Sequence, residues 1–238
     1  MDTGRRGQLY AAFVLHQRPY RDTSRIVDLL SAEFGRVALV AKGVRSRRGS
    51  QAALLQPFRP LLVAWSGRGE MKTLNSVEPS GEAFGLKGAV LFSGYYLNEL
   101  LLRLTRKHDP YPELFAVYHA TLERLNQGEN QSRALRIFEK RLLECLGYGL
   151  NLQSTAGDSR QVDAGCHYTY RIERGPELQA AESAASYAGR SLLSLASEDL
   201  GDENSLQDAR RLLRENLDYY LGDKPLKSRQ ILYSMHSW

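Results

Sequence analysis

The sequence predicts an α+β protein with more than one domain. A small N-terminal β-barrel or β-sandwich over residues 1–80 is followed by a mainly α-helical domain over residues 81–238, with a small β-hairpin insertion at about 150–188. Five short runs rich in β-branched and aromatic residues, separated by tight turns, predict the first part. Apolar residues at helical spacing from Phe84 onward predict the second. A chain of 238 residues is long enough for one large or two small domains.

The five predicted strands follow one another closely. They are Gln8–Gln17, Ser24–Leu30, Arg36–Ala41, Leu54–Trp65 and Glu70–Val77. We expect Arg18-Pro19 to end the first strand as a turn, and Gly35 to occupy a positive-φ position before the third. Pro57 and Pro60 indicate that the fourth is an edge strand or has an irregular entry.

The predicted helices occupy most of the remaining chain. They run from Phe84 to Leu104, from Pro112 to about Leu125, from about Ser132 to Leu146, over Ser191–Ser197, from an N-cap at Asn204 to about Leu221, and in a short C-terminal segment after Arg229. Gly147-Tyr-Gly149 is expected to cap the third helix. The insertion contains a predicted hairpin strand, His167–Ile172, with Arg174–Pro176 as its turn.

Positive charge is concentrated in the first third of the chain. Residues 1–80 hold 13 Lys and Arg against 6 Asp and Glu, whereas the remaining residues hold 19 against 21. The whole net charge of +5 therefore originates in the predicted β-domain. A basic module attached to a near-neutral one favours an anionic partner for the first and a different task for the second.

The sequence contains no catalytic constellation. The five histidines are scattered, and none of the HExxH, GxGxxG, Walker A or GxSxG motifs occurs. Two cysteines do not make a disulfide framework, and the Cys166-His167 pair is too little for a four-ligand zinc site. No apolar run predicts a membrane span, and the N-terminus lacks the apolar core of a signal peptide. We therefore expect a cytoplasmic, non-catalytic protein without a cofactor.

The densest positive cluster is the Gly- and Ser-rich segment Lys42–Ser50. It carries four cations, Lys42, Arg45, Arg47 and Arg48. These cations repel one another, so the segment gains most when a polyanion lies against it and counterions are released. A solvated basic loop is the alternative interpretation. The one-sided charge and the barrel-like strand pattern favour nucleic-acid contact.

Further candidates for nucleic-acid contact lie in the same third. Proteins that bind single strands combine a cationic groove with aromatic stacking platforms. Tyr20, beside Arg18 and Arg21, is the aromatic residue that we expect to be exposed, whereas most of Phe13, Phe34 and Phe58 are expected in the core. The full predicted set is Lys42, Arg45, Arg47, Arg48, Arg18, Arg21, Arg68, Lys72 and Tyr20.

A second basic cluster lies on the third predicted helix, at Arg133, Arg136, Lys140 and Arg141. Arg136 and Lys140 share a face because they are four residues apart. Cations beside an apolar helix face suit an acidic peptide with an apolar anchor. The alternative is a solvated face that is paired with Glu139 or Glu144. A third basic group, which could extend a nucleic-acid track or balance nearby acids, comprises Arg210, Arg211, Arg214, Lys224, Lys227 and Arg229.

Short motifs follow one another in a specific order along nearly the whole chain. In the first third they are Ala12–His16, Arg18–Tyr20, Asp22–Ser24, Gly35–Val37, Leu39–Gly43, Leu55–Phe58, Gly67–Glu70 and Lys72–Leu74. In the second part they are Tyr96–Leu100, Leu146–Gly149 and Lys224–Arg229. By the order and spacing of these motifs, the chain resembles the RecO recombination-mediator family of bacterial DNA repair.

The resemblance implies an N-terminal OB-fold and a helical C-terminal domain. It implies binding of single- and double-stranded DNA, annealing of complementary strands and, with RecR, help in loading recombinase onto DNA coated by single-strand-binding protein, all at the nucleoid. In the family, the acidic tail of that protein docks on the helical domain. Arg136 stands where a family arginine for the tail would fall, and Arg133 and Lys140 are its predicted companions.

Some members of the family carry a four-cysteine zinc site after the Gly-Tyr-Gly turn. This chain has only Cys166 in that region, so we expect no zinc and a hairpin held by ordinary packing. The competing function is a non-catalytic adaptor whose basic OB-fold binds RNA or an acidic protein.

Overall fold

The computed structural model describes residues 8–44, 51–67, 69 and 71–235. In chain order its elements are β1 (Tyr10–Tyr20), β2 (Ser24–Ser31), β3 (Gly35–Ala41), α1 (Gln51–Leu54), β4 (Leu61–Ser66), β5 (Met71–Pro79), α2 (Gly88–Leu104), α3 (Pro112–Asn126), α4 (Gln131–Cys145), β6 (His167–Arg171), β7 (Gly175–Gln179), β8 (Tyr187–Ala188), α5 (Gly189–Ser197), α6 (Glu203–Leu221) and α7 (Lys227–Met235). The chain forms two compact units. The first unit is residues 1–127 and 226–238, and the second unit is residues 128–225.

Five strands of the first unit close into a barrel in the order β1-β2-β3-β5-β4. All paired neighbours are antiparallel except β3 and β5, which run parallel. Side chains that alternate along the strands fill the interior, with Val14, Leu29 and Trp65 almost fully buried. The closed barrel, followed by helices and a small separate sheet, confirms the predicted α+β fold and its OB-like N-terminal barrel.

The outer face of β1 is apolar as well, and the helices of the first unit cover it. Phe13, which alternates with the inward-facing Val14, packs edge-on against Tyr118 with ring centroids 5.2 Å apart. The buried Asn98 side chain donates to the Leu15 carbonyl at 2.9 Å and accepts from the Tyr118 hydroxyl at 2.6 Å. Burial raises the pKa of Tyr118, so its phenol stays protonated and donates. One strand is thereby tied to both α2 and α3.

Two strand predictions are wrong in detail. Arg18-Pro19 does not end β1, because Pro19 pairs with Arg25 in the β1–β2 ladder. β4 pairs with β1 only as far as Ala12, whereas β2 pairs with β1 up to its last residue. The end of β1 that contains Pro19 therefore has a strand ladder on one side only, and a proline is tolerated on such an edge. The predicted strand Leu54–Trp65 is shorter and begins at Leu61, after both prolines, and α1 ends where the strand was expected to begin.

The C-terminal helix α7 belongs to the first unit. The Glu99 carboxylate on α2 accepts from the backbone N–H groups of Lys227 and Ser228 at 2.9 and 2.8 Å, and from the Ser228 hydroxyl at 2.6 Å. A carboxylate at this position satisfies free N–H groups and complements the helix dipole. These hydrogen bonds lower the pKa of Glu99 despite its partial burial.

The second unit packs α4, α5 and α6 beside a three-stranded sheet in the order β7-β6-β8. The apolar side of α4 supplies Phe138, Leu142 and Leu143, all fully buried. The predicted cap at Asn204 is wrong: the Asp202 side chain accepts from the Ser205 N–H at 2.9 Å, so α6 begins earlier. The sheet also contains β8, a strand that the sequence did not predict.

The domain boundary at residue 80 stays a prediction. It falls directly after β5, which is the last barrel strand in the sequence and ends at Pro79. The compact units divide instead at residues 127 and 225 and group α2, α3 and α7 with the barrel. None of the helices in the described ranges combines the length and apolar character needed to span a membrane.

We predict that Gly35→Ala destabilises the first unit by about 3 kcal/mol or more. Gly35 has φ +62°, as the sequence predicted, and a Cβ there would overlap the Asp109 backbone carbonyl. The α2–α3 loop is held in this place, since the His108 N–H donates to the Arg36 carbonyl at 3.0 Å. The change therefore combines left-handed backbone strain with a clash against fixed backbone. Urea unfolding measures the loss.

Gly43→Ala is the matched control. Gly43 has φ +70° but no atom within 4 Å of a built Cβ, so its replacement should cost only about 1 kcal/mol. Equal losses for the two variants would contradict the role assigned to the Asp109 contact.

Candidate functional site

The β1–β2 hairpin and the end of β3 carry predicted cations at one end of the barrel. Arg18 is exposed near the end of β1, and Arg21 is exposed in the turn that follows. Arg25 pairs with Ala41 across β2 and β3, and Lys42, also exposed, is the next residue. We call Arg18, Arg21, Arg25 and Lys42 the barrel-end cations.

Tyr20 lies among these cations. It is half-buried, whereas the sequence interpretation expected it to be exposed, because strand pairing continues to the end of β1. The Arg21 guanidinium lies 5.2 Å from the centre of the Tyr20 ring. Arg21 itself has φ +51°, which holds the turn in a left-handed conformation. A ring with a cation over one face can stack on a nucleic-acid base with the other. The hairpin thus places an aromatic residue beside cations, and the role of Tyr20 in base stacking stays a prediction.

Other predicted DNA contacts are placed differently. Arg45, Arg47, Arg48 and Arg68 lie outside the described residues, so their role stays a prediction. Lys72 is only 7% exposed, and its ammonium lies 6.0 Å from the ring of the buried Trp65. Its alternation with the buried Leu74 along β5 places it on the interior side. We therefore leave Lys72 out of the candidate surface.

Arg25 is a barrel-end cation that the sequence interpretation missed. Its guanidinium donates to the Gln17 side chain at 2.7 Å, across the β1–β2 pair. The signal in the sequence was weak, because Arg25 falls inside a run that was interpreted as an ordinary strand. Strand pairing reveals its position next to Ala41 and Lys42.

In the second unit, the basic residues of α4 lie among carboxylates. Arg136 is 9% exposed and donates to Glu139 at 2.5 Å, and the Glu139 side chain is almost fully buried. The Arg136 Nε is buried without a hydrogen-bond partner. This arrangement fits the paired-face alternative that the sequence left open, and it places the predicted peptide-binding arginine largely below the surface.

Lys140 and Arg141 share one carboxylate from outside α4. Glu198 Oε1 accepts from Lys140 Nζ at 2.8 Å and from Arg141 Nε at 2.5 Å. Lys140 also contacts Glu144 at 3.0 Å. The Lys140 side chain is 7% exposed and the Arg141 side chain 47%, so the pair extends from the interior to the surface.

Arg133 holds the backbone that carries Glu198. Its Nε donates to the Asp199 carbonyl at 2.7 Å and its Nη2 to the Glu198 carbonyl at 3.0 Å. Glu198 ends α5 with φ +62°, a conformation in which its carbonyl and side chain both turn toward α4. Sequence reasoning missed Glu198 because it lies 58 residues from Lys140 and belongs to no motif.

The cations lower the pKa of Glu198. Burial alone would raise it, but hydrogen bonds from Lys140 and Arg141 and their positive charges favour the ionised carboxylate. The same contact raises the pKa of Arg141. Both shifts favour the charged forms of Glu198 and Arg141, as expected for an ion pair.

Within the described ranges, no three or more His, Cys, Asp or Glu side chains are grouped so that they could hold a metal ion. Cys145 and Cys166 are free thiols. The β6–β7 hairpin is held by ladder pairs from His167 to Arg171 and by the Arg171–Glu177 ion pair at 3.1 Å.

Comparison with protein families gives two matches. Residues 8–82 match the family described as Recombination protein O N terminal, and residues 88–230 match the one described as Recombination protein O C terminal. The two matches follow in the order that the sequence motifs predict, and together they cover most of the chain.

Curated relatives carry the name DNA repair protein RecO. The protein of Nitrosococcus oceani is 47% identical over 226 residues, which cover 94% of this chain and 92% of that protein. The protein of Alkalilimnicola ehrlichii is 48% identical over 233 residues, covering 96% and 92%. That of Haemophilus influenzae strain Rd is 42% identical over 224 residues, covering 94% and 95%.

We predict that Glu198→Gln destabilises the protein by about 1 kcal/mol at pH 7, and that this difference disappears in acid. The folded-state pKa lies below the ordinary 4.5, so the stabilisation is complete above that value and is lost as the pH falls through the folded-state pKa. Urea unfolding of both proteins between pH 7 and pH 3, at about one-unit steps, measures it. A difference that is independent of pH would contradict the ion-pair account.

Proposed function

The chain belongs to the RecO family of DNA repair proteins, and from this membership we propose that it acts as a DNA repair and recombination mediator at the nucleoid. It binds single- and double-stranded DNA, anneals complementary strands and, with RecR, helps to load recombinase onto DNA coated by single-strand-binding protein. The family membership, which confirms the resemblance found in the sequence, is the observation that carries the proposal.

The barrel-end cations support the DNA-binding part of the proposal. Arg18, Arg21 and Lys42 are exposed on a rigid barrel, and Tyr20 lies among them. Phosphate repulsion opposes the approach of two complementary strands. A cationic surface that holds both strands lowers this barrier by replacing their counterions. No covalent bond is made or broken in annealing. The protein therefore needs suitably placed cations and no catalytic group.

The second unit supplies the proposed contact with single-strand-binding protein. Docking of an acidic tail on the basic residues of α4 would bring the barrel to DNA that this protein already covers. Because the two sites belong to one chain, docking raises the effective concentration of the barrel at the coated strand. In this proposal the first unit supplies affinity for DNA, and the second unit directs the protein to DNA that is coated by single-strand-binding protein.

The first test concerns the barrel-end cations. Arg18→Ala, Arg21→Ala and Lys42→Ala combined should weaken binding to a labelled single-stranded oligonucleotide by at least about tenfold at low salt. The slope of log affinity against log salt should become shallower by about 2, since each lost phosphate contact on a single strand contributes about 0.7. Fluorescence anisotropy over a salt series measures both quantities.

The matched control removes three exposed cations from the second unit, Arg160, Arg171 and Arg174. It lowers the net charge by the same amount and should leave the slope nearly unchanged. Replacement of Arg45, Arg47 and Arg48 by Ala extends the test to the segment outside the described residues. An unchanged slope in the first variant would overturn the barrel-end site, and a preference for RNA over DNA of the same sequence would favour the adaptor function.

The second test concerns Arg136. Because Arg136→Ala alone would leave the buried Glu139 without this partner, Arg136→Met is combined with Glu139→Gln. The double variant should bind the acidic C-terminal peptide of a bacterial single-strand-binding protein at least about tenfold more weakly, because a buried charge-assisted contact is lost. Calorimetric titration with the peptide measures the loss, and binding to naked DNA should change less than about twofold.

Glu139→Gln alone is the control, since it keeps the arginine and should keep peptide binding. Wild-type affinity in the double variant would remove Arg136 from the peptide site. A parallel loss of DNA binding would show instead that the substitutions damage the fold.

A further inference from the structure

We propose that Glu198 is an internal competitor for the acidic peptide: its carboxylate occupies Lys140 and Arg141, and docking displaces it. This inference rests on the proposed peptide site on α4. It assigns that site a regulatory residue from the α5–α6 connection and defines the class of ligand that can bind.

The contacts of Glu198 are those that a ligand carboxylate would make. A single oxygen, Oε1, accepts from both Lys140 and Arg141 at hydrogen-bonding distance. The Lys140 side chain is only 7% exposed, and its ammonium already contacts both Glu198 and Glu144. A carboxylate from a ligand therefore has to compete with Glu198 for the cation that a peptide would need.

The charge of the cluster is nearly balanced while Glu198 is in place. Four cations, Arg133, Arg136, Lys140 and Arg141, face three carboxylates, Glu139, Glu144 and Glu198. An approaching anion meets a net charge of about one unit under these conditions. Rotation of the Glu198 side chain moves its negative charge away from Lys140 and Arg141 and so strengthens the attraction of these two cations for a ligand.

The carboxylate can leave without unfolding of the loop that carries it. Arg133 binds the backbone carbonyls of Glu198 and Asp199, and not the side chain. The next residue, Leu200, is buried, and its N–H donates to the Ser194 hydroxyl at 2.9 Å. These anchors hold the main chain in position, so rotation about the Glu198 side-chain bonds is enough to move the carboxylate away from Lys140 and Arg141.

The competition selects ligands with more than one acidic group. A peptide with one carboxylate exchanges one ion pair for another and gains little. A peptide with two or more neighbouring carboxylates replaces Glu198 and also reaches the remaining charge of the cluster, so it gains net attraction. Such a site binds acidic segments weakly and reversibly, and it excludes isolated acidic residues.

Glu198→Gln tests the competition. The variant keeps the shape of the side chain and one acceptor oxygen, but it replaces the other oxygen by an amide NH2 donor and removes the charge. It should bind the acidic peptide about five- to tenfold more tightly than the wild type, and binding should depend more steeply on salt because more charge is available to the ligand. Titrations with the peptide at several salt concentrations measure both, and a thermal melt confirms that the variant is folded at the temperature used.

Two further variants separate the possible outcomes. Glu173→Gln removes an exposed carboxylate from the β6–β7 turn of the same unit and should leave affinity unchanged. Glu198→Gln combined with Arg136→Met and Glu139→Gln should lose the gain. Unchanged or weaker binding by folded Glu198→Gln, with the wild type binding normally and the Arg136 variant impaired, would overturn the competition alone. Absence of peptide binding by the wild type would overturn the proposed peptide site and this inference with it.

Discussion

The burial of both faces of β1 is the constraint on which the first unit depends. Val14 faces the barrel interior, and Phe13 faces the helices that cover the barrel. Without α2 and α3 the outer face would expose Phe13 and Leu15 to water, and the Leu15 carbonyl would lose its bond from Asn98. The helices α2 and α3 therefore complete the packing of the barrel, although the family matches divide near its last strand. Its packed side fixes the orientation of the hairpin that carries the barrel-end cations.

The two basic regions use charge in different ways. The barrel-end cations stand at the surface of a strongly basic third of the chain, which suits long-range attraction of a polyanion and sensitivity to salt. The cations of α4 are partly buried and already contact carboxylates of their own unit. Because these carboxylates largely balance their charge, the field of the α4 cations is short-ranged. A count of charges along the sequence does not distinguish these two situations.

The periodic features of the sequence predicted the fold well, because strand and helix periods are local. Prediction failed where distant segments decide the outcome. Pro19 stays in a strand because β2 pairs with it, and Lys72 is buried because β5 is part of a closed barrel. The alternation of Lys72 with Leu74 along the predicted strand is a signal for this burial. Glu198 could not be found from sequence, since its relation to Lys140 exists only after α5 and α4 have packed.

The hydrogen bonds from the start of α7 to Glu99 hold this helix in the first unit, which is therefore discontinuous along the chain. During synthesis the barrel, α2 and α3 leave the ribosome first, followed by the entire second unit, and only then by the residues that complete the first. Chains released early would carry a finished barrel beside an unpartnered Glu99 and the bare surface of α2. Completion of the first unit thus has to wait until α7 has been made, after every residue of the second unit.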